Sequence, residues 1–142
     1  MSEISKGWHS VYTLKYHIVW ITKYRYNKFF GQVEKDARQV FFEIAKDYDW
    51  EIEELGVEPD HVYVYISCEP TDRPDEVVKW LKNESSKRLG KKYPYLKNKK
   101  GEVWGRGYFI STVNDKTISE QIKQYIRNQR RVVIQGRLFE KV

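Results

Sequence analysis

One cysteine, Cys68, is the only thiol in this 142-residue chain. That excludes an internal disulfide and any zinc centre built on a cysteine cluster. No apolar run approaches the ~20 residues of a membrane-spanning helix. The opening Met1-Ser2-Glu3-Ile4-Ser5-Lys6 lacks the apolar stretch of a secretory signal. Together these absences predict an intracellular, cytoplasmic protein. Internal repeats, low-complexity tracts and linkers are also missing. The length then predicts a single domain over residues 1–142, with a core of about 10–130 and a tail, 131–142, that begins basic. There is no Gly-rich phosphate loop and no Ser-His-Asp arrangement. The Gly-Phe/Tyr-Gly/Ala-Phe strand pattern that stacks RNA bases is lacking, which weakens an RNA-binding reading.

Charge and aromatics are abundant. The net charge is +6, and aromatics reach 15%, with eleven tyrosines and five tryptophans. The sequence pI is near 9.3. Basic residues attract phosphates irrespective of base sequence, and aromatic faces stack on unpaired bases. The combination favours single-stranded nucleic acid over a duplex, whose bases are already stacked. Composition alone is equally consistent with aromatics that fill a core and charge that aids solubility.

Periodicity supplies the elements. Residues 11–22 alternate, with Tyr12, Leu14, Tyr16, Ile18 and Trp20 on one face and Lys15, His17, Val19 and Ile21 on the other, which predicts a strand. A basic-aromatic loop, 23–28, follows. Val33, Ala37, Val40, Phe41, Ile44, Ala45 and Tyr48 recur at helical spacing. Residues 50–57 read as a short strand, in which Gly56 marks a bulge or the end of pairing. Residues 61–68 form another, with Val62, Val64, Ile66 and Cys68 towards a core and His61, Tyr63, Tyr65 and Ser67 facing away. A helix begins near Asp72-Arg73-Pro74, with Asp72 as the expected cap, and runs to about Lys91. Residues 93–107 read as loop and 108–113 as a strand. Thr117 and Glu120 then form a capping box for a last helix. This order predicts an α+β, ferredoxin-like (RRM-like) antiparallel sheet, two helices on one face and an additional C-terminal helix.

That last helix carries an unusual pair. Ile118, Ile122, Ile126 and Val133 draw its buried stripe, and Tyr125 and Gln129 fall inside it, one turn apart. A phenol and a carboxamide aimed at one object suggest a nucleophile beside a ligand or orienting group. A packed tyrosine bonded to a neighbouring amide is the other reading. His61 and Tyr63 share a strand face with Cα atoms about 6–7 Å apart, a spacing that lets two side chains converge on one ion. His17 also faces outward, as a support to such a site or, more simply, as a structural residue. Cys68 lies on the core side as a small apolar residue.

Pro59-Asp60-His61-Val62-Tyr63 resembles the His-hydrophobic-His segment of the HUH single-tyrosine transposases, the TnpA-type enzymes of insertion sequence two-hundred-like elements. Tyr16-His17-Ile18-Val19-Trp20-Ile21-Thr22-Lys23-Tyr24-Arg25 is similar to the family's opening strand and Lys-Tyr-Arg signature. Leu81 to Leu89 resembles its second helix, Trp104 to Phe109 the segment before its fourth strand, and Ile122 to Gln129 its nucleophile helix. The resemblance runs in order from about residue 10 to 130. It implies that Tyr125 attacks a phosphodiester of single-stranded DNA, leaving a 5′-phosphotyrosine link and a free 3′-hydroxyl for strand rejoining during transposition. It implies a divalent cofactor, Mg2+ or Mn2+, with His61 and Gln129 as ligands. It also implies a homodimer with composite sites and recognition of hairpin ends. Lys23, Tyr24, Arg25, Lys82, Lys87 and Arg88 are the expected DNA-binding residues.

The sequence departs from the family at one ligand. Tyr63 stands where the second histidine belongs. A phenol, with a reference pKa of about 10, is protonated near pH 7 and is a poor ligand unless the ion depresses that value strongly. Magnesium tolerates oxygen and water ligands, so water can fill such a gap. Tyr125, Gln129 and His61 all persist, which favours retained or reduced activity. The alternative is a non-catalytic or domesticated nucleic-acid-binding protein.

Overall fold

The computed structural model describes residues 14–112, 118, 120–125 and 127. The elements run β1 (Leu14–Ile21), α1 (Gln32–Asp47), β2 (Glu51–Glu58), β3 (His61–Cys68), α2 (Pro74–Lys92) and β4 (Phe109–Ser111). Short 3-10 turns occupy Lys23–Arg25 and Pro94–Leu96. The four strands form one antiparallel sheet in the order β2-β3-β1-β4. This is the ferredoxin-like arrangement that the sequence predicts, and residues 118, 120–125 and 127 add helix after β4.

Strand alternation decides what each face buries. Ile18 and Trp20 of β1, with Val62, Val64 and Ile66 of β3, are fully buried beneath Ala37, Phe41 and Ile44 of α1 and Val77, Leu81 and Leu89 of α2. Pro74 opens α2, with Asp75 and Glu76 in the first turn and Lys91 and Lys92 in the last, as the helix dipole favours. Asp72 is not the cap. Arg73 holds that position without a side-chain bond. The Asp72 carboxylate instead accepts from Trp50 Nε1 at 3.0 Å and from the Glu69 amide at 3.0 Å, tying the start of β2 to the approach of α2.

The bulge in β2 also lies elsewhere than Gly56. Gly56 pairs normally with Tyr63, and the register slips between Ile52 and Glu54. Glu53, the extra residue, accepts from Ser67 Oγ at 2.6 Å and pairs with Lys15. Polar partners on β3 and β1 thus stabilise a bulge that needs no glycine. The 93–107 segment has little regular structure yet packs into the core. Leu96, Val103 and Trp104 are buried. The Trp104 ring stacks on Phe29 at 5.0 Å, and its indole N–H donates to Ser85 Oγ at 3.0 Å. No helix among the described residues is long and apolar enough to cross a membrane.

Candidate active site

The outward face of the sheet carries the site. Antiparallel register sets Ile21 opposite His61, Val19 opposite both Tyr63 and Phe109, and His17 opposite Tyr65. Directly opposed residues share a face, so His61, Tyr63, Tyr65, His17 and Phe109 lie together.

His61 is braced by its neighbour. Its Nδ1 lies 2.8 Å from Asp60 Oδ1, while Asp60 Oδ2 takes Arg25 Nε at 2.9 Å. Burial pushes the Asp60 carboxyl up. The His61 hydrogen bond and the Arg25 charge more than offset this, so the group titrates below its ordinary value. An ionised carboxylate only accepts, so Nδ1 of His61 carries a proton, and the tautomer this selects has its lone pair on Nε2. A carboxylate holding the second nitrogen is the usual support of a metal-binding histidine.

Arg25 reaches Asp60 from a strained turn. Tyr24 and Arg25 both have φ of +58°, in the left-handed region that non-glycine residues seldom enter. Thr22 holds the turn, its amide donating to the Asp60 carbonyl at 3.0 Å and its hydroxyl to the Tyr26 carbonyl at 2.6 Å. The amides of Lys28 and Phe29 both donate to the Pro59 carbonyl.

Tyr63 points into the same face, and its hydroxyl is engaged. It donates to Glu54 Oε1 at 3.3 Å and lies 2.8 Å from Nδ1 of His17. With the phenol proton given to Glu54, His17 is the donor in the second bond. The His17 ring is buried and stacks on Tyr65 at 4.1 Å. His17 therefore supports the position at which the family's second imidazole is expected. Tyr63 is poorly set up as a ligand, since its oxygen already serves two protein groups.

Tyr125 lies over the β1/β4 side of this face, its ring 6.0 Å from Phe109. Burial pushes its phenol up to about 12. A side chain at Gly107 would meet the hydroxyl, which lies 3.8 Å from where a Cβ would stand. Gly107 sits between Gly105, whose amide donates to the Ile21 carbonyl at 2.8 Å, and Phe109, opposite Val19. Since Ile21 also pairs with His61, the imidazole and the phenol belong to the same end of the sheet. Two strand spacings separate their supporting backbones, about 10 Å.

Lys82 fixes that end. Its ammonium donates to the carbonyls of Gly105, Arg106 and Gly107 at 2.7, 3.1 and 3.1 Å, spending all three protons on one turn. Lost hydration, and secondarily the Lys23 charge, pulls its pKa down to about 8.

The other residues expected to bind DNA occupy varied places. Lys23 is buried, with Nζ 3.4 Å from Glu102 and 5.2 Å from the Tyr24 ring centre. Arg88 pairs with Asp47, Glu84 and Glu43, joining α2 to α1. Tyr24 is half-buried and Lys87 exposed. The charges of Lys23, Arg25, Lys82 and Arg88 are thus met by protein groups. Gln129, the tail 131–142 and the capping Thr117 lie outside the described residues. Among the described residues no group of three or more His, Cys, Asp and Glu side chains is placed to hold a metal.

The family profile described as "Transposase IS200 like" matches residues 10–129. The chain belongs to the IS200-like transposases. Its relatives include the ISDra2 transposase TnpA of Deinococcus radiodurans, 36% identical over 129 residues, which span 89% of this chain and 91% of the relative. A crystal structure of a Deinococcus radiodurans protein assigned as a transposase superposes with a TM-score of 0.80 at 35% identity, covering 88% of this chain and 97% of the other. The REP-associated tyrosine transposase bound to a REP hairpin shares the fold, with a TM-score of 0.56 at 14% identity over 81% of this chain and 67% of its own.

In this IS200-like transposase, the groups that brace His61 and the turn beside Tyr125, namely Asp60 and Lys82, were not foreseen in those roles from the sequence. Asp60 precedes His61 in a segment already singled out, and acid-histidine adjacency was the available signal. Lys82 carried no such signal, because its acceptors are backbone carbonyls.

Proposed function

We propose that this transposase cleaves and rejoins single-stranded DNA through Tyr125, in sites that require a divalent cation bound at His61. The observation that carries this reading is the common placement of the Asp60-braced imidazole and the Tyr125 hydroxyl at one end of the sheet. The Tyr125 oxygen attacks the phosphorus while the bond from phosphorus to the 3′-oxygen breaks. The phenol loses one proton and the departing 3′-oxygen gains one. The 5′-phosphate stays on the tyrosine, and a later 3′-hydroxyl reverses the exchange, so the number of phosphodiester-type bonds is conserved. A magnesium or manganese ion supplies polarisation of the scissile phosphate when bound. His61 Nε2 and Gln129 are the protein groups that would hold it, and an ion of this kind tolerates water where Tyr63 stands in place of a second imidazole. Burial pushes the Tyr125 phenol up to about 12, so the attack includes removal of its proton.

The substrate we assign is DNA with hairpin ends, in keeping with the hairpin-bound neighbour, and the assembly a homodimer with composite sites. Incubating the protein with labelled hairpin-ended single strands and manganese yields a protein–DNA adduct that survives denaturation, and Tyr125→Phe abolishes it. Absence of the adduct under these conditions sinks the enzymatic reading. Mixing Tyr125→Phe with His61→Ala subunits restores adduct only if the sites are shared between subunits. The bonds from Tyr63 to His17 and Glu54 favour a second reading, a DNA-binding protein without cleavage. That protein shifts the hairpin on native gels and leaves no adduct.

A further inference from the structure

A groove of about 230 Å³ runs between the first half of α2 and the turn before β4, lined by Asp75, Lys79, Lys82, Asn83, Arg106 and Tyr108. Neither the metal-binding face nor the nucleophile uses it. Its charge is positive on balance. Asp75 is already paired with Arg73 at 3.3 Å, and Lys82 is committed to the turn's carbonyls. Lys79 and Arg106 are exposed cations. Tyr108 offers a ring that is 39% exposed. Tyr108, the residue before β4, lines the groove with residues of α2, while Phe109 faces Tyr125. Between Arg106 and Tyr108 sits Gly107, whose other side meets the Tyr125 hydroxyl. Among the described residues β4 is the outermost strand, so the groove and the phenol lie on either side of one sheet edge.

From this geometry we infer that the groove is a binding site for one unpaired nucleotide adjoining the scissile phosphate, with Tyr108 stacking on its base and Arg106 and Lys79 holding its phosphate. The inference rests on Tyr125 being the nucleophile. A bare phosphate would need no exposed ring, and a duplex keeps its bases stacked on each other, so the ring and the cations together select a single strand.

The test uses the full chain carrying Tyr125→Phe, so that binding is read without chemistry. Anisotropy of a short fluorescein-labelled single strand is titrated with each variant. Tyr108→Ala weakens binding about tenfold, while Tyr108→Phe, which keeps the ring, binds as the parent does. Arg106→Ala and Lys79→Ala each reduce the slope of log affinity against log salt by about 0.7. Blunt duplex of the same sequence responds little to Tyr108→Ala. Equal binding by Tyr108→Ala and its parent, with melting temperatures alike, overturns the groove even if wild-type protein forms the adduct. Weakened binding by Tyr108→Ala when wild-type protein forms no adduct supports the groove as a nucleotide site and overturns the role given to Tyr125.

Discussion

Restoring histidine at position 63 sets stability and metal affinity against each other. The Tyr63 hydroxyl takes a hydrogen bond from buried His17 at 2.8 Å and gives one to Glu54 at 3.3 Å. An imidazole on the same Cα is too short to reach either partner. The shorter bond is worth about 1 kcal/mol net, the longer one less, and leaving a buried donor poorly satisfied adds about 1–2 kcal/mol. Tyr63→His therefore destabilises the metal-free protein by roughly 1–3 kcal/mol. For a chain of this size that lowers the melting temperature by roughly 3–10 °C. The new imidazole shares a face with His61 and supplies a second nitrogen ligand. Each tenfold gain in affinity returns about 1.4 kcal/mol of stability at saturating metal. Thermal melting in EDTA and across a manganese series reads both effects, and calorimetric titration reads the affinity directly. The expected result is a lower melting temperature in EDTA and a steeper rise with manganese than in the wild type. Identical melting in EDTA would show that the His17 and Glu54 bonds contribute nothing. Superimposable manganese curves would show that position 63 does not face the ion.

With the Tyr125 phenol pushed up to about 12, only about one molecule in 10⁵ is ionised at pH 7, so attack by phenolate makes the single-turnover adduct rate climb about tenfold per pH unit between pH 6 and 9. A flat profile would mean that the proton leaves by another route. The same raised pKa means that the folded protein keeps this proton longer than the unfolded chain, so stability falls as pH rises from about 10 to about 12, seen by urea unfolding at fixed pH values. Lys82→Met frees the three carbonyls of the turn beside Tyr125, lowers the adduct rate by about 10–100-fold and also weakens single-strand binding, because that turn carries Arg106 and leads into Tyr108, which rapid-quench kinetics beside anisotropy would measure. Asp60→Asn no longer fixes the His61 proton on Nδ1 and weakens manganese binding by about 10–100-fold in calorimetry.

Much of the fold is legible in the residues because period-two alternation survives in 14–21 and 61–68, and helical spacing survives in α1. The outward placement of His61 follows from that alternation alone. The Glu53 bulge is not legible, since its cause is a pair of cross-strand partners, Ser67 and Lys15, with no local glycine to mark it. His17 and Tyr63 are 46 positions apart, and only the strand register brings them together. Lys82 reads as a cation for phosphate because it lies among other basic residues of α2. Its actual acceptors belong to a turn more than twenty positions downstream, and backbone oxygens leave no signature in the side-chain pattern. Trp104 looks like a loop residue, and its burial depends on Phe29 and Ser85 arriving from separate elements.

The grip of Lys82 falls on main-chain oxygens and is indifferent to the side chain carried between the two glycines. Position 106 can therefore be exchanged while the turn keeps its shape. Variation there is a route by which a lineage of mobile elements, or an engineer, could retune how tightly a neighbouring phosphate is held while the framework around Tyr125 stays put.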